Sequence, residues 1–148
     1  MEILALDVGA KRVGIARASI EACLAQPLKT VKTDEAIEQL HKIIKENEVK
    51  MIVAGLPRNL AGEDTQQTGW VRDWVAQAKA QLGVAFYWQD EALTSLEAMK
   101  HETRHSTLRD EPSGSDSKRN VKHDVDAQAA TIILEDFLKT NKNNRVLV

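Results

Sequence analysis

Apolar and polar positions divide the chain into short alternating segments. Ile3-Leu4-Ala5-Leu6 runs apolar into Asp7-Val8-Gly9, and Val13-Gly14-Ile15-Ala16 begins a second apolar run. Residues 2–8 and 12–18 therefore read as two strands of a hairpin, with Gly9 and Gly14 giving the backbone its freedom to turn and approach closely. Leu24 to Val31 reads as a third strand, and its Pro27 favours a sheet edge or a bulge. Thr33-Asp34 have the character of a helix N-cap, followed by a helical stripe of Ile37, Leu40, Ile43 and Ile44. Met51-Ile52-Val53-Ala54 is a continuous apolar run, as in a strand covered on both faces, and it breaks at Gly55-Leu56-Pro57. After a loop at 59–62, Trp70, Trp74, Ala78 and Leu82 mark a second helix stopped by Gly83, with both tryptophans expected in the core. Val84 to Trp88 reads as a strand ending at Asp90-Glu91, and a helix is predicted over 94–107.

Residues 108–123 are polar and hold Pro112 and Gly114, which predicts a mobile loop. A last helix is expected over 124–140, and residues 141–148 read as a polar tail. The order (three strands, helix, strand, helix, strand, helix, loop, helix) makes a single α/β domain over 1–140. An antiparallel meander followed by parallel strands gives a mixed sheet flanked by helices.

Composition narrows the function classes. With 148 residues, one domain can bury a real core. One cysteine, Cys23, excludes an internal disulfide; it reads as a small buried hydrophobe, and a reducing cytoplasm is the expected location. No stretch reaches the about 18 apolar residues needed to span a bilayer, and no signal peptide is expected. His41, beside the first helical stripe, reads as a structural or surface side chain. The net charge of −2 does not announce nucleic-acid binding, yet Lys11, Arg12, Arg17, Arg104, Arg109, Lys118, Arg119 and Lys122 can form local basic patches.

The acids stand at element ends: Asp7, Asp90-Glu91, and Asp124 with Asp126. A carboxylate at the exit of a buried strand is costly to ionise without a partner. Several converging carboxylates are what two hard cations about 3.5–4 Å apart require for phosphoryl chemistry. On the last helix, Asp126, Ala130, Ile133 and Phe137 share one narrow face, which points Asp126 toward the sheet and leaves Asp124 as a solvent-facing N-cap. Strand alternation puts Asp90 and Glu91 on opposite sides, so one of the two reaches a shared site, and spacing leaves open which one.

Four blocks, LALDVGAKRVGIA at 4–16, VAGLPRNLAG at 53–62, DEALTSLEA at 90–98 and VDAQAATIIL at 125–134, together resemble the YqgF family, also called RuvX, of the RNase H-like superfamily. The resemblance runs along nearly the whole chain. It implies a five-stranded mixed sheet of order 3-2-1-4-5. It also implies a nuclease whose acidic positions fall on Asp7, the Asp90-Glu91 pair (Glu91 favoured) and Asp126, holding Mg²⁺ or Mn²⁺. Its implied substrates are the 5′ end of pre-16S rRNA or, by analogy with RuvC, a branched Holliday junction in DNA. The family usually carries an arginine where this chain has Ala92, and Arg12, Arg58 or Arg104 are the candidate substitutes.

Two other classes fit the same residues. Asp7-Val8-Gly9 before a hairpin also resembles the phosphate loop of actin-like ATPases, which need two such lobes where this length holds one. A non-catalytic assembly factor on the small ribosomal subunit would fit the negative charge. A monomer and a dimer are both compatible with the sequence.

Overall fold

Strand β1 (Glu2–Val8) is apolar from Ile3 to Leu6 because that stretch lies inside the sheet with both faces covered. The computed structural model describes residues 1–92 and 117–148. β2 (Arg12–Ser19) pairs antiparallel with β1, and β3 (Ala25–Lys32) antiparallel with β2. β4 (Val49–Arg58) and β5 (Ala85–Ala92) then add in parallel on the other side of β1. Pro27 takes the place expected of it, on an edge strand and beside a bulge: Ile15 pairs with Lys29 but Ala16 with Pro27, so Leu28 is the extra residue.

Helices α1 (Thr33–Glu46) and α2 (Gln66–Leu82) cover one face of the sheet, where Leu40, Val71, Trp74, Val75 and Ala78 pack on Leu4, Leu6, Val13, Ile15, Ile52 and Phe86. Helix α3 (Ser117–Lys139) covers the other, with Ala130, Ile133, Leu134 and Phe137 on Ile3, Ala5, Ala16, Ala18 and Val53. That second face is lined with small residues, which lets the α3 backbone lie close. A Cβ on Gly14 would overlap the Asp126 carbonyl, and one on Gly55 would press on the Ile133 side chain.

Local chemistry ties these layers to the strand ends. Gly83, at φ 68°, caps α2 in the left-handed region that glycine enters without strain. At the other end of α2, Thr65 and Thr68 form a capping box, and the buried Thr68 hydroxyl donates to the Pro57 carbonyl at the end of β4. Thr33 does not cap α1; Lys32 holds that position without a side-chain bond. Thr33 is instead buried. Its hydroxyl donates to the Gly9 carbonyl at 2.7 Å and its N–H to the Lys11 carbonyl at 3.1 Å, pinning the β1–β2 turn.

Several expectations are corrected. Among the described residues the sheet has six strands, in the order β3-β2-β1-β4-β5-β6. The expected polar tail forms a 3-10 turn at Lys142–Asn144 and the short strand β6 (Val146–Leu147), which pairs with Tyr87 and Trp88 on the edge that β5 would otherwise leave open. Helix α3 begins at Ser117, so part of the stretch expected to be a loop is helical and Asp124 lies inside the helix instead of capping it. The predicted helix over 94–107 and the loop residues 108–116 lie outside the described residues. Cys23 is exposed, at φ 52°, with its thiol donating to the Ile20 carbonyl. Trp74 is buried as expected, but Trp70 is 40% exposed. No helix among the described residues is long and apolar enough to cross a membrane.

Candidate active site

Pleating decides which acids can meet. Ile3, Ala5 and hence Asp7 face α3, whereas Leu4, Leu6 and Val8 face α1 and α2. On β5, Phe86 and Trp88 pack toward α1 and α2 and Tyr87 toward α3, so Glu91 shares a face with Asp7 and Asp90 does not. Both acids lie within β5, which runs on to Ala92.

Asp126 comes to the same place from above. Asp7 pairs in register with Gly14, and the backbone of Asp126 rests directly over Gly14. The missing side chain at Gly14 is what allows α3 this close to the hairpin. Asp126 stands in the interior of α3, its side chain 16% exposed, and its Oδ2 accepts from Arg12 Nε at 3.2 Å. Ala130, Ile133 and Phe137, on the same face of the helix, are fully buried.

Glu91 is the most buried acid among the described residues. It is 6% exposed, and its Oε1 has no hydrogen-bond partner. Burial raises its pKa to about 9; a hydrogen bond with the Asp136 carboxyl and the charges of Asp136, Asp90 and Asp7 push the same way. Asp136, on α3, was not singled out from the sequence. The available signal was helical spacing: it follows Ile133 by three and precedes Phe137, at the border of the buried face.

Asp90 is 63% exposed and points the other way, where Arg58 Nη1 donates to it at 3.2 Å and Arg58 also pairs with Asp64. Arg58 is the register neighbour of Ala92, on the face opposite Glu91. Lys11 is exposed on the β1–β2 turn. Lys118, Arg119 and Lys122 have their backbone in the first turns of α3, and Arg104 lies outside the described residues.

Asp7, Glu91 and Asp126 thus share one face at one end of the sheet. Among the described residues, no three such side chains stand close enough to hold a single ion as they are placed, with Asp126 drawn to Arg12 and Glu91 to Asp136.

Known proteins match this chain along its length. The model of the RuvX family, described as Holliday junction resolvase, matches residues 1–140. A relative from Chloroflexus aggregans is 34% identical over 144 residues, covering 95% of each chain. Another from Maridesulfovibrio salexigens is 36% identical over 141 residues, covering 93% of this chain and 98% of its own. Both carry the name "Putative pre-16S rRNA nuclease". Among solved structures, Thermus thermophilus RuvC superposes over all of both chains with a TM-score of 0.54 at 16% identity. The same protein in complex with a Holliday junction substrate gives 0.53 at 14%, covering all of this chain and 99% of that one. At these identities the likeness is one of fold.

Proposed function

Because the chain belongs to the RuvX family, we propose that it is a divalent-metal-dependent endonuclease that processes the 5′ end of pre-16S rRNA, with Asp7, Glu91 and Asp126 as its working carboxylates. The observation that carries this reading is the gathering of those three acids on the α3 face at one strand end, with the Glu91 carboxyl buried and its Oε1 unpartnered. The donor set suits Mg²⁺ or Mn²⁺ in kind, being all carboxylate oxygen. A cation bound there would polarise the phosphate and lower the pKa of water.

The chain's own residues do the rest. Glu91, held protonated by its burial, would have to give up its proton to hold a cation, so binding would be coupled to proton release. Arg12 holds Asp126 in place at 3.2 Å. Lys11, on the turn just beyond Asp7, offers a cation to a backbone phosphate, a contact that positions the strand without reading its sequence. Lys118, Arg119, Lys122 and Arg104 are assigned the same role from sequence. Cytoplasmic location and action on the small ribosomal subunit's RNA belong to the same reading.

The test is cleavage of a 5′-extended 16S precursor RNA by the purified chain with Mg²⁺, beside a four-way DNA junction. The proposal expects trimming of the RNA and a loss on the order of 100-fold or more in Asp7→Asn. Cleavage of the junction alone would move the substrate to branched DNA. RNA trimming undiminished in Asp7→Asn would remove the mechanism. If processing in cells survives the triple variant Asp7→Asn, Glu91→Gln, Asp126→Asn, the chain is a non-catalytic assembly factor.

A further inference from the structure

Trp70 stands out once the core is accounted for. Trp74, one turn along α2, is buried, yet Trp70 leaves 40% of its surface in water. The cause is position: Trp70 sits in the first turns of α2, near the end of the sheet where Asp7 lies. A large indole left in water gives up burial energy that the fold could have used.

Trp70 forms one wall of a hollow of about 380 Å³, completed by Val8, Ala10, Gln66 and Gln67. That volume is of the size that takes a small planar molecule. None of the lining side chains is charged. The two glutamine amides each offer donors and an acceptor, the complement of a base edge. Val8 directly follows Asp7, and Ala10 opens the turn that carries Lys11. The hollow therefore lies at the same end of the sheet as Asp7, on the face opposite the proposed catalytic acids.

We propose that this hollow seats one unpaired base of the nucleic-acid strand, stacked on Trp70, with Gln66 and Gln67 at the base edge. The inference rests on the nuclease reading above and adds to it a requirement for a single-stranded nucleotide next to the cleavage site. Lys11, exposed on the same turn as Ala10, would meet a phosphate of that strand. A base held in a duplex cannot enter, because both of its faces are already stacked.

The experiment measures fluorescence anisotropy of a short labelled single strand, as RNA and as DNA, and of the same sequence as a duplex. Binding is followed on Asp7→Asn protein to prevent cleavage. Replacing Trp70 with Ala is expected to weaken single-strand binding about 5- to 150-fold, the range for losing one stacked base. Trp70→Phe is expected to keep most of the affinity, and duplex binding to stay unchanged. A probe lacking one base should reproduce the Trp70→Ala loss at one position along the strand. Because most of the Trp70 surface is covered, Trp70→Ala lowers the melting point somewhat, so melting curves are recorded and binding is measured well below both transitions.

Equal single-strand affinity in Trp70→Ala and parent overturns the proposal, as does an equal loss on duplex and single strand. Cleavage of the strand by the wild-type chain with Mg²⁺ is scored separately. If the wild type cleaves while Trp70→Ala binds as well as the parent, the seat is refuted and the nuclease reading stands. If the wild type neither binds nor cleaves any probe, both fall together.

Discussion

Replacing Gly14 with alanine tests how the fold places Asp126. The new Cβ would overlap the carbonyl carbon and oxygen of Asp126, and the Ala127 nitrogen would lie 2.8 Å away. All three are backbone atoms in the middle of α3, so no side chain can swing aside. The helix must retreat from the hairpin by roughly 1 Å, opening its contacts with Ala5, Ala16 and Ala18. Overpacking of this kind costs about 3 kcal/mol, which for a chain of this size lowers the melting temperature by roughly 6–12 °C. The same retreat carries Asp126 away from Asp7, and a misplacement of about 1 Å costs on the order of 100-fold in rate. Thermal melting followed by circular dichroism reads the first effect. Mg²⁺-dependent cleavage, measured well below the melting point, reads the second. A Gly14→Ala protein that melts within a degree of wild type and cleaves at full rate would refute the claim that this close contact sets the position of Asp126.

Glu91 makes a second prediction. Its folded pKa lies above the unfolded value, so its contribution to stability is complete below about pH 4.5 and is lost as pH rises toward 9. The metal-free protein should therefore lose stability from this group by up to about 1.4 kcal/mol per pH unit between pH 5 and 9, and Glu91→Gln should flatten that slope; denaturant midpoints across the range check it. Mg²⁺ binding near neutral pH should release protons, seen as a calorimetric heat that depends on the buffer, and Glu91→Gln should reduce that release. Thr33→Val removes the hydroxyl that donates to the Gly9 carbonyl and should cost about 1 kcal/mol in urea unfolding, because the part-buried carbonyl loses its donor.

Much of this arrangement was readable from residue pattern, and what was missed has physical causes. Pro27 signalled both an edge and a bulge because proline has no N–H to donate to a neighbouring strand. Helical periodicity places Asp126 on the buried face, since Ala130, Ile133 and Phe137 define that face without reference to anything distant. Alternation could say that Asp90 and Glu91 part ways, but not which of them meets Asp7. That depends on the register of β5 against β4, which is tertiary. Trp70 and Trp74 have the same helical phase and opposite fates, because periodicity does not report where a helix runs past its sheet. Strand β6 is two residues long and owes its existence to the open edge of β5. The polar start of α3 read as a loop because composition measures the need for burial, not the path of the backbone.

The most direct test of the central claim is a crystal of the chain soaked in Mn²⁺ and measured for anomalous scattering. The account predicts density on the α3 face of the sheet, touching the carboxylates of Asp7, Glu91 and Asp126, with Glu91 turned away from Asp136. Saturating Mn²⁺ that leaves these three carboxylates bare, in crystals of a protein that still cleaves its substrate, would contradict it.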